Sequence, residues 1–170
     1  MQIEEHDPHH AAESDLQDKG LSRNSVGVLG SVNAALEFSR QIDQGLAEVP
    51  HAVVVPLGSG GTAAGLLLGF WIAGREIDVC AVRVTSAWFI NRLVVLRLIR
   101  RTAALLARHG LRVRDGTARL HVIKDQLGRG YGHGTPLSAQ ARRLAAREGL
   151  ALESTYGAKA FAAIGSLAAS

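Results

Sequence analysis

The residues best placed to do chemistry form one short run, Leu57-Gly58-Ser59-Gly60-Gly61-Thr62. It follows a β-branched apolar stretch, Ala52–Val55, and precedes helix formers from Ala63 onward. A strand, a glycine turn and a helix in that order present bare backbone N–H groups to an anion, and the helix N-terminus adds partial positive charge. Gly58, Gly60 and Gly61 let the backbone come close to a ligand, with Ser59 between them. Thr62 is expected to cap the helix or to give its hydroxyl to the same anion. No lysine follows Gly61, so the turn is not a Walker loop. Gly58-x-Gly60-x-x-Ala63 also fits a loose dinucleotide pattern, and a tight turn with no ligand would use the same glycines. Further along stand Tyr131 and His133, in the run GRGYGHG at 128–134, and Tyr156. A phenol near a substrate carbon can act as acid or base if its pKa is lowered.

The elements that must position these groups follow from periodicity. Ala52–Val55 predicts a buried strand, and Pro56, which has no N–H, is expected to end it. The helix from Ala63 is apolar all round, which predicts burial. Upstream, Val28, Val32, Leu36 and Ile42 recur at helical spacing and predict an amphipathic helix over Ser25–Leu46. Gly27 and Gly30 near its start permit tight packing. Ile77–Thr85 predicts a second strand, and a strand–helix–strand order of this length predicts a parallel pair with a right-handed crossover. Asn91–His109 predicts a long helix with Arg97, Arg100, Arg101 and Arg108 on one solvated face. Leu120–Ile123 predicts a third strand, Gly128–Gly134 a loop that is mobile without ligand, and Thr135-Pro136 the start of a helix through Arg147. Leu150–Leu152 is expected as a short strand, and Tyr156 opens a last helix, Ala158–Leu167. The sum is an α/β fold of three layers, with a mostly parallel sheet and helices on both faces. Ligands of such sheets bind beyond the carboxyl ends of the strands. That rule gathers the glycine turn, Tyr131, His133 and Tyr156 on one rim.

Length and composition bound the function. The chain has 170 residues, enough for one domain with a sizeable core. A net charge of +4 is modest. No aromatic residues interleave with the arginine face, so no nucleic-acid partner is expected, and any retention on DNA should vanish at moderate salt. The lone Cys80 lies in an apolar run and reads as a small buried hydrophobe, which is compatible with a cytoplasmic location. Neither a signal peptide nor a run long enough to span a bilayer is visible, so no membrane partner is expected. Residues 1–22 are polar and read as a disordered tail, and residues 23–170 as the folded domain. His6, His9 and His10 lie close together in the tail, but no further ligands stand at fixed spacing, so no metal site is assigned.

At the family level, LGSGGTAAGLLLG resembles the phosphate-binding loop of the fold-type-II pyridoxal-phosphate enzymes, the tryptophan-synthase-β-like family. SVGVLGSVNAALEFSRQI looks like the helix that precedes that loop. GRGYGHGTPLSAQARRLAAREGLALESTYGAKAFAAI looks like its glycine–tyrosine loop, helix and tyrosine–lysine turn. Together they are similar to the branch containing D-cysteine desulfhydrase and 1-aminocyclopropane-1-carboxylate deaminase, over about Asn24 to Ile164. The resemblance implies that the backbone of Gly58, Ser59, Gly60, Gly61 and Thr62 holds the phosphate of pyridoxal 5′-phosphate. It implies that Tyr131 and Tyr156 line the cofactor and substrate pocket, that the substrate is a small amino acid, and that the complete enzyme is a homo-oligomer.

The chain departs from the family pattern in informative places. The family's Schiff-base lysine stands in an Asn-Lys motif, and none of Lys19, Lys124 or Lys159 sits in one. The Ser-Asn substrate loop after that lysine and the final strand with its glycine turn are likewise not matched. Lys159 corresponds to a lysine of the tyrosine turn that is not the Schiff-base lysine. The position after Tyr156, where the family carries Thr, Ser or Glu near the pyridine nitrogen, is Gly157. The expectation is therefore the cofactor-cradling part of a lyase or deaminase, truncated at both ends and inactive alone. Two other readings stay open. One is a non-catalytic module that binds phosphate or pyridoxal phosphate. The other is an NAD(P)-binding oxidoreductase domain, for which the second strand would end in Thr85 or Ser86 rather than an acid, with Arg83 beside a 2′-phosphate.

Overall fold

The computed structural model describes residues 25–168. The tail and its histidines His6, His9 and His10 lie outside them. In chain order the elements are α1 (Ser25–Asp43), β1 (Ala52–Leu57), α2 (Gly61–Ile72), β2 (Asp78–Arg83), α3 (Arg92–Arg108), β3 (Leu120–Ile123), α4 (Pro136–Arg147) and α5 (Gly157–Ala168). The three strands form one sheet in the order β1-β2-β3. Both pairings are parallel, with Val54 opposite Cys80 and Cys80 opposite His121.

Alternation along the strands builds the layers. Val53, Val55, Leu57, Val79, Ala81, Leu120 and Val122 turn to one face, where they pack with the buried sides of α1, α2 and α3. Val54, Val82 and Ile123 turn to the other and meet Ala160 and Ala163 of α5. Helix α4 packs on α5. The expected three layers are present, and the short Ala52–Leu57 strand and the Leu120–Ile123 strand stand close to where periodicity put them. Cys80 is a buried free thiol.

Four expectations are corrected. Pro56 does not end β1, because it pairs within the ladder opposite Val82. The bonds from Asp78 N to His51 O and from Val84 N to Leu57 O put the odd-numbered β1 residues on the β2 side. The Pro56 nitrogen therefore faces the open edge, where no N–H is needed. Leu150–Leu152 has no regular structure. The carbonyl of Leu152 instead accepts from Arg142 Nε at 2.9 Å, so the segment is used by α4 rather than by the sheet. Helix α1 stops at Asp43 and closes through Gly45, whose φ of 71° suits a residue without a side chain. The second strand is shorter than Ile77–Thr85, spanning Asp78–Arg83.

The tightest packing lies between α1 and α2. A Cβ on Gly69 would stand 2.6 Å from Ala35 Cβ and 2.7 Å from Val32 O, and one on Gly65 would stand 2.6 Å from Val28 O. Two glycines four residues apart thus let α2 seat its backbone against α1. Gly69→Leu should destabilise the fold by about 3 kcal/mol, since neither backbone can move away. A denaturant midpoint equal to that of the native chain would contradict this close crossing.

Candidate active site

The glycine turn forms as the helix-dipole argument requires, with one change. The N-cap of α2 is Gly60, at φ 90°, with no side-chain capping bond. Thr62 is thus the second residue of the helix and not its cap. The first bond of the helix runs from Ala64 N to Gly60 O. The N–H groups of Gly61, Thr62 and Ala63 therefore lack a partner within the helix. They open at the carboxyl end of β1, on the rim where ligands of parallel sheets bind. A Cβ on Gly60 would meet Ile90 Cδ1 at 2.8 Å and Val95 Cγ2 at 3.3 Å. Side chains from the β2–α3 segment thus back the turn and require glycine there. A phosphate fits this cradle: it needs several convergent N–H donors and a positive dipole end, and both are present.

The two tyrosines are brought together. Their hydroxyls are hydrogen bonded, and their rings meet edge to face with centroids 5.8 Å apart and planes at 74°. Tyr131 comes from the loop after β3 and Tyr156 from the turn that opens α5. What joins them to the glycine turn is the sheet, since α5 packs on β1 and β2. Thr135 and Ser138 close the tyrosine loop through a reciprocal capping box at the start of α4.

Burial, the bond to Tyr131 and the nearby Glu153 carboxylate all push the Tyr156 phenol well above its ordinary range. A lowered phenol pKa, the condition for acid–base work near neutral pH, is not met at Tyr156. Tyr156 holds its proton.

Glu153, which no pattern singled out, organises the turn. Its carboxylate accepts from the N–H groups of Thr155 and Tyr156, each at 2.6 Å, and from that of Gly157. Partial burial opposes its ionisation, but those donors outweigh it and hold the carboxyl below the usual range. A glutamate folded with a lowered pKa contributes stability above its unfolded value, near ~4.3, and loses it as pH falls through the folded value. Glu153→Gln should therefore flatten the acid limb of the melting temperature against pH between about 5 and 3. An unchanged acid limb would show that the carboxylate does not hold the turn.

Gln126 escaped sequence reasoning, and Lys159 was given a place in the tyrosine turn but no role. Gln126 is 1% exposed, and neither atom of its side-chain amide has a hydrogen-bond partner. It stands just before the tyrosine loop, and no spacing rule marks a lone glutamine. Lys159 is 0% exposed, and its amine donates to Leu127 O at 2.9 Å and Gly130 O at 3.1 Å. Burial lowers its pKa, and Glu153 partly offsets that. Gly157, by contrast, is not forced by space: a Cβ there would meet Glu153 Oε1 at 3.5 Å and Leu152 Cδ2 at 3.6 Å, ordinary contacts.

Other constellations do not make a site. Cys80 and His121 face each other across β2 and β3, and His121 Nε2 lies 2.7 Å from Asp78 Oδ2. The thiol is buried, however, and burial and Asp78 raise its pKa, the reverse of an activated nucleophile. The apolar groove lined by Leu137, Ala141, Leu144, Phe161 and Ile164 runs between α4 and α5 and includes neither the cradle nor the tyrosines. Among the described residues no three His, Cys, Asp or Glu side chains group to hold a metal, and no helix is long and apolar enough to cross a membrane.

Comparison with known proteins shows the family and the fold. The profile of the family described as "Pyridoxal-phosphate dependent enzyme" matches residues 4–170, and the chain belongs to that family. Its cofactor is pyridoxal 5′-phosphate. Within it, the chain is 33% identical over 144 residues to a Thermotoga maritima protein named "Putative 1-aminocyclopropane-1-carboxylate deaminase", covering 81% of this chain and 42% of that one. It is 31% identical to a D-cysteine desulfhydrase of Salmonella schwarzengrund, covering 83% and 41%. A crystal structure of an "ACC deaminase homologue" superposes with a TM-score of 0.68 at 31% identity, over 86% of this chain and 42% of that chain. The chain thus spans about two fifths of the length of the relatives it matches.

Proposed function

We propose that this chain carries the cofactor-phosphate site of a pyridoxal-phosphate-dependent lyase or deaminase acting on a small amino acid. The reaction class is α,β-elimination, or ring opening with deamination, to a 2-oxo acid and ammonia. Support comes from family membership and from the names of the relatives. The observation that carries the reading is Gly60, left-handed at the head of α2, with the N–H groups of Gly61, Thr62 and Ala63 open behind β1. The backbone from Gly58 to Thr62 grips the phosphate. When bound, the cofactor supplies an electron sink for charge developing at the substrate α-carbon. The Tyr131–Tyr156 pair closes the pocket wall and keeps a proton on Tyr156 at neutral pH, so it orients and donates rather than abstracts.

These 170 residues alone do not turn substrate over in this reading. The amine of Lys159 is committed to two carbonyls, and the resemblance assigns neither Lys124 nor Lys19 to the cofactor aldehyde. Activity belongs to a cytoplasmic homo-oligomer that includes a segment with the missing lysine. Family membership favours this reading over the dinucleotide one. A non-catalytic phosphate-binding module shares the same cradle and is separated from it only by turnover. The test of the cradle is competition: inorganic phosphate should displace pyridoxal 5′-phosphate from the chain at one shared site. Binding of the cofactor that phosphate leaves untouched would overturn the reading.

A further inference from the structure

We infer that Lys159 is a positioning residue, whose buried amine ties the loop Leu127–Gly130 to α5 and so sets Tyr131 against Tyr156. The geometry is specific. Lys159 lies three residues after Tyr156, in the first turn of α5, and its side chain is fully buried. Its amine reaches the carbonyls of Leu127 and Gly130, on either side of Arg129. Gly130 immediately precedes Tyr131. One cation thus grips the backbone next to one tyrosine from a helix that begins beside the other.

The loop's own backbone does little to fix it at that point. Gly128, Gly130 and Gly132 all have positive φ, so the segment is built of residues whose ordering costs the most backbone entropy. Its own turn bonds, Gly130 N to Leu127 O at 3.3 Å and His133 N to Gly130 O at 3.4 Å, are long. Those same two carbonyls receive the lysine, and a charged donor makes the stronger bond. The loop expected to be mobile from its glycines is therefore anchored at Leu127 and Gly130 from the tyrosine helix. Burying an ammonium is costly unless it is satisfied. The cost is met here by acceptors from the backbone, which a change of neighbouring side chains would not remove.

The inference rests on the proposed function only in taking the tyrosine pair as part of the site. Its test needs no cofactor. The chain contains two tyrosines, and they are this pair, so ultraviolet titration of phenol ionisation reads the pair alone. In the native chain the Tyr156 phenol should stay protonated well past the ordinary tyrosine range. Lys159→Met should release the loop, and the Tyr156 phenol should then lose its proton at a lower pH than in the native chain. Lys159→Arg, which can donate to the same carbonyls, should restore the native titration. A Lys159→Met protein that melts earlier yet titrates as the native chain does would make the lysine structural only and overturn the inference.

Should Lys159→Met fail to fold, amine-directed acylation of the native chain decides. Lys159 should stay unlabelled while the exposed Lys124 reacts fully, and equal labelling would overturn the inference. Loss of phosphate binding at Gly58–Thr62 would leave all of these readings unchanged, so the two proposals fail separately.

Discussion

Gly60→Val should abolish phosphate and pyridoxal 5′-phosphate binding and destabilise the chain by about 3 kcal/mol. The left-handed φ costs a branched residue about 1–2 kcal/mol, and crowding costs about 1–3 kcal/mol more. The crowding is concrete, since the first added carbon already meets Ile90 Cδ1 at 2.8 Å. Both side chains behind it are fully buried and have nowhere to go. The control is Gly61→Ala, where the added carbon meets Ser59 Oγ at 3.8 Å and Val28 Cγ2 at 3.9 Å, ordinary contacts. It should melt close to the native chain. Denaturant melts with isothermal titration of phosphate measure both effects. A Gly60→Val protein that binds phosphate as the native chain does would remove the turn from the site.

The chain should bind pyridoxal 5′-phosphate through the cradle without forming a stable covalent link to any lysine. A covalent link needs a neutral amine beside the cofactor aldehyde, so both position and protonation matter. Lys159 is the lysine whose pKa is lowered by burial, but its amine is held on the Leu127 and Gly130 carbonyls. Lys124 is exposed just past the end of β3, and the resemblance does not assign it to the aldehyde. The measurement is a visible spectrum after adding cofactor, then borohydride reduction and mass spectrometry. Labelling of one lysine at full occupancy, with ammonia released from D-cysteine or 1-aminocyclopropane-1-carboxylate, would contradict the proposal that these residues are incomplete for catalysis. Turnover that appears only when a separate segment with an Asn-Lys motif is added would support it.

Much of the frame was legible because it is local. The β-branched run at Ala52, the capping pair Thr135-Pro136 and the apolar period of α1 each specify their own element. The glycine turn was legible because strand, glycine and helix signals coincide within a dozen residues. Pro56 continues the strand rather than ending it, because the effect of its missing N–H depends on which neighbour each strand residue faces, a property of the sheet. Of the two roles expected for Thr62 the cap falls to Gly60, which stands where Ile90 and Val95 leave no room for a Cβ, a wall that local sequence does not reveal. Leu150–Leu152 has the composition of a strand, but α4 uses its carbonyl. Tyr131 and Tyr156 fall on one rim by the strand-end rule and take their pocket role from the resemblance, but the direction of the Tyr156 pKa follows from neither. It depends on burial and on a bond between residues 25 apart. Glu153, Gln126 and Lys159 carry no spacing signature, and their roles exist only once the loop and α5 are folded together.

The most direct test of the cradle is a titration of the labelled chain with inorganic phosphate, followed by backbone amide shifts. The largest shifts are expected at Gly58 to Ala63, with smaller ones at Ile90 and Val95 behind the turn. Shifts centred instead on the Arg97, Arg100 and Arg101 face of α3, with Gly58 to Ala63 unmoved, would contradict the assignment of the glycine turn as the cofactor-phosphate site.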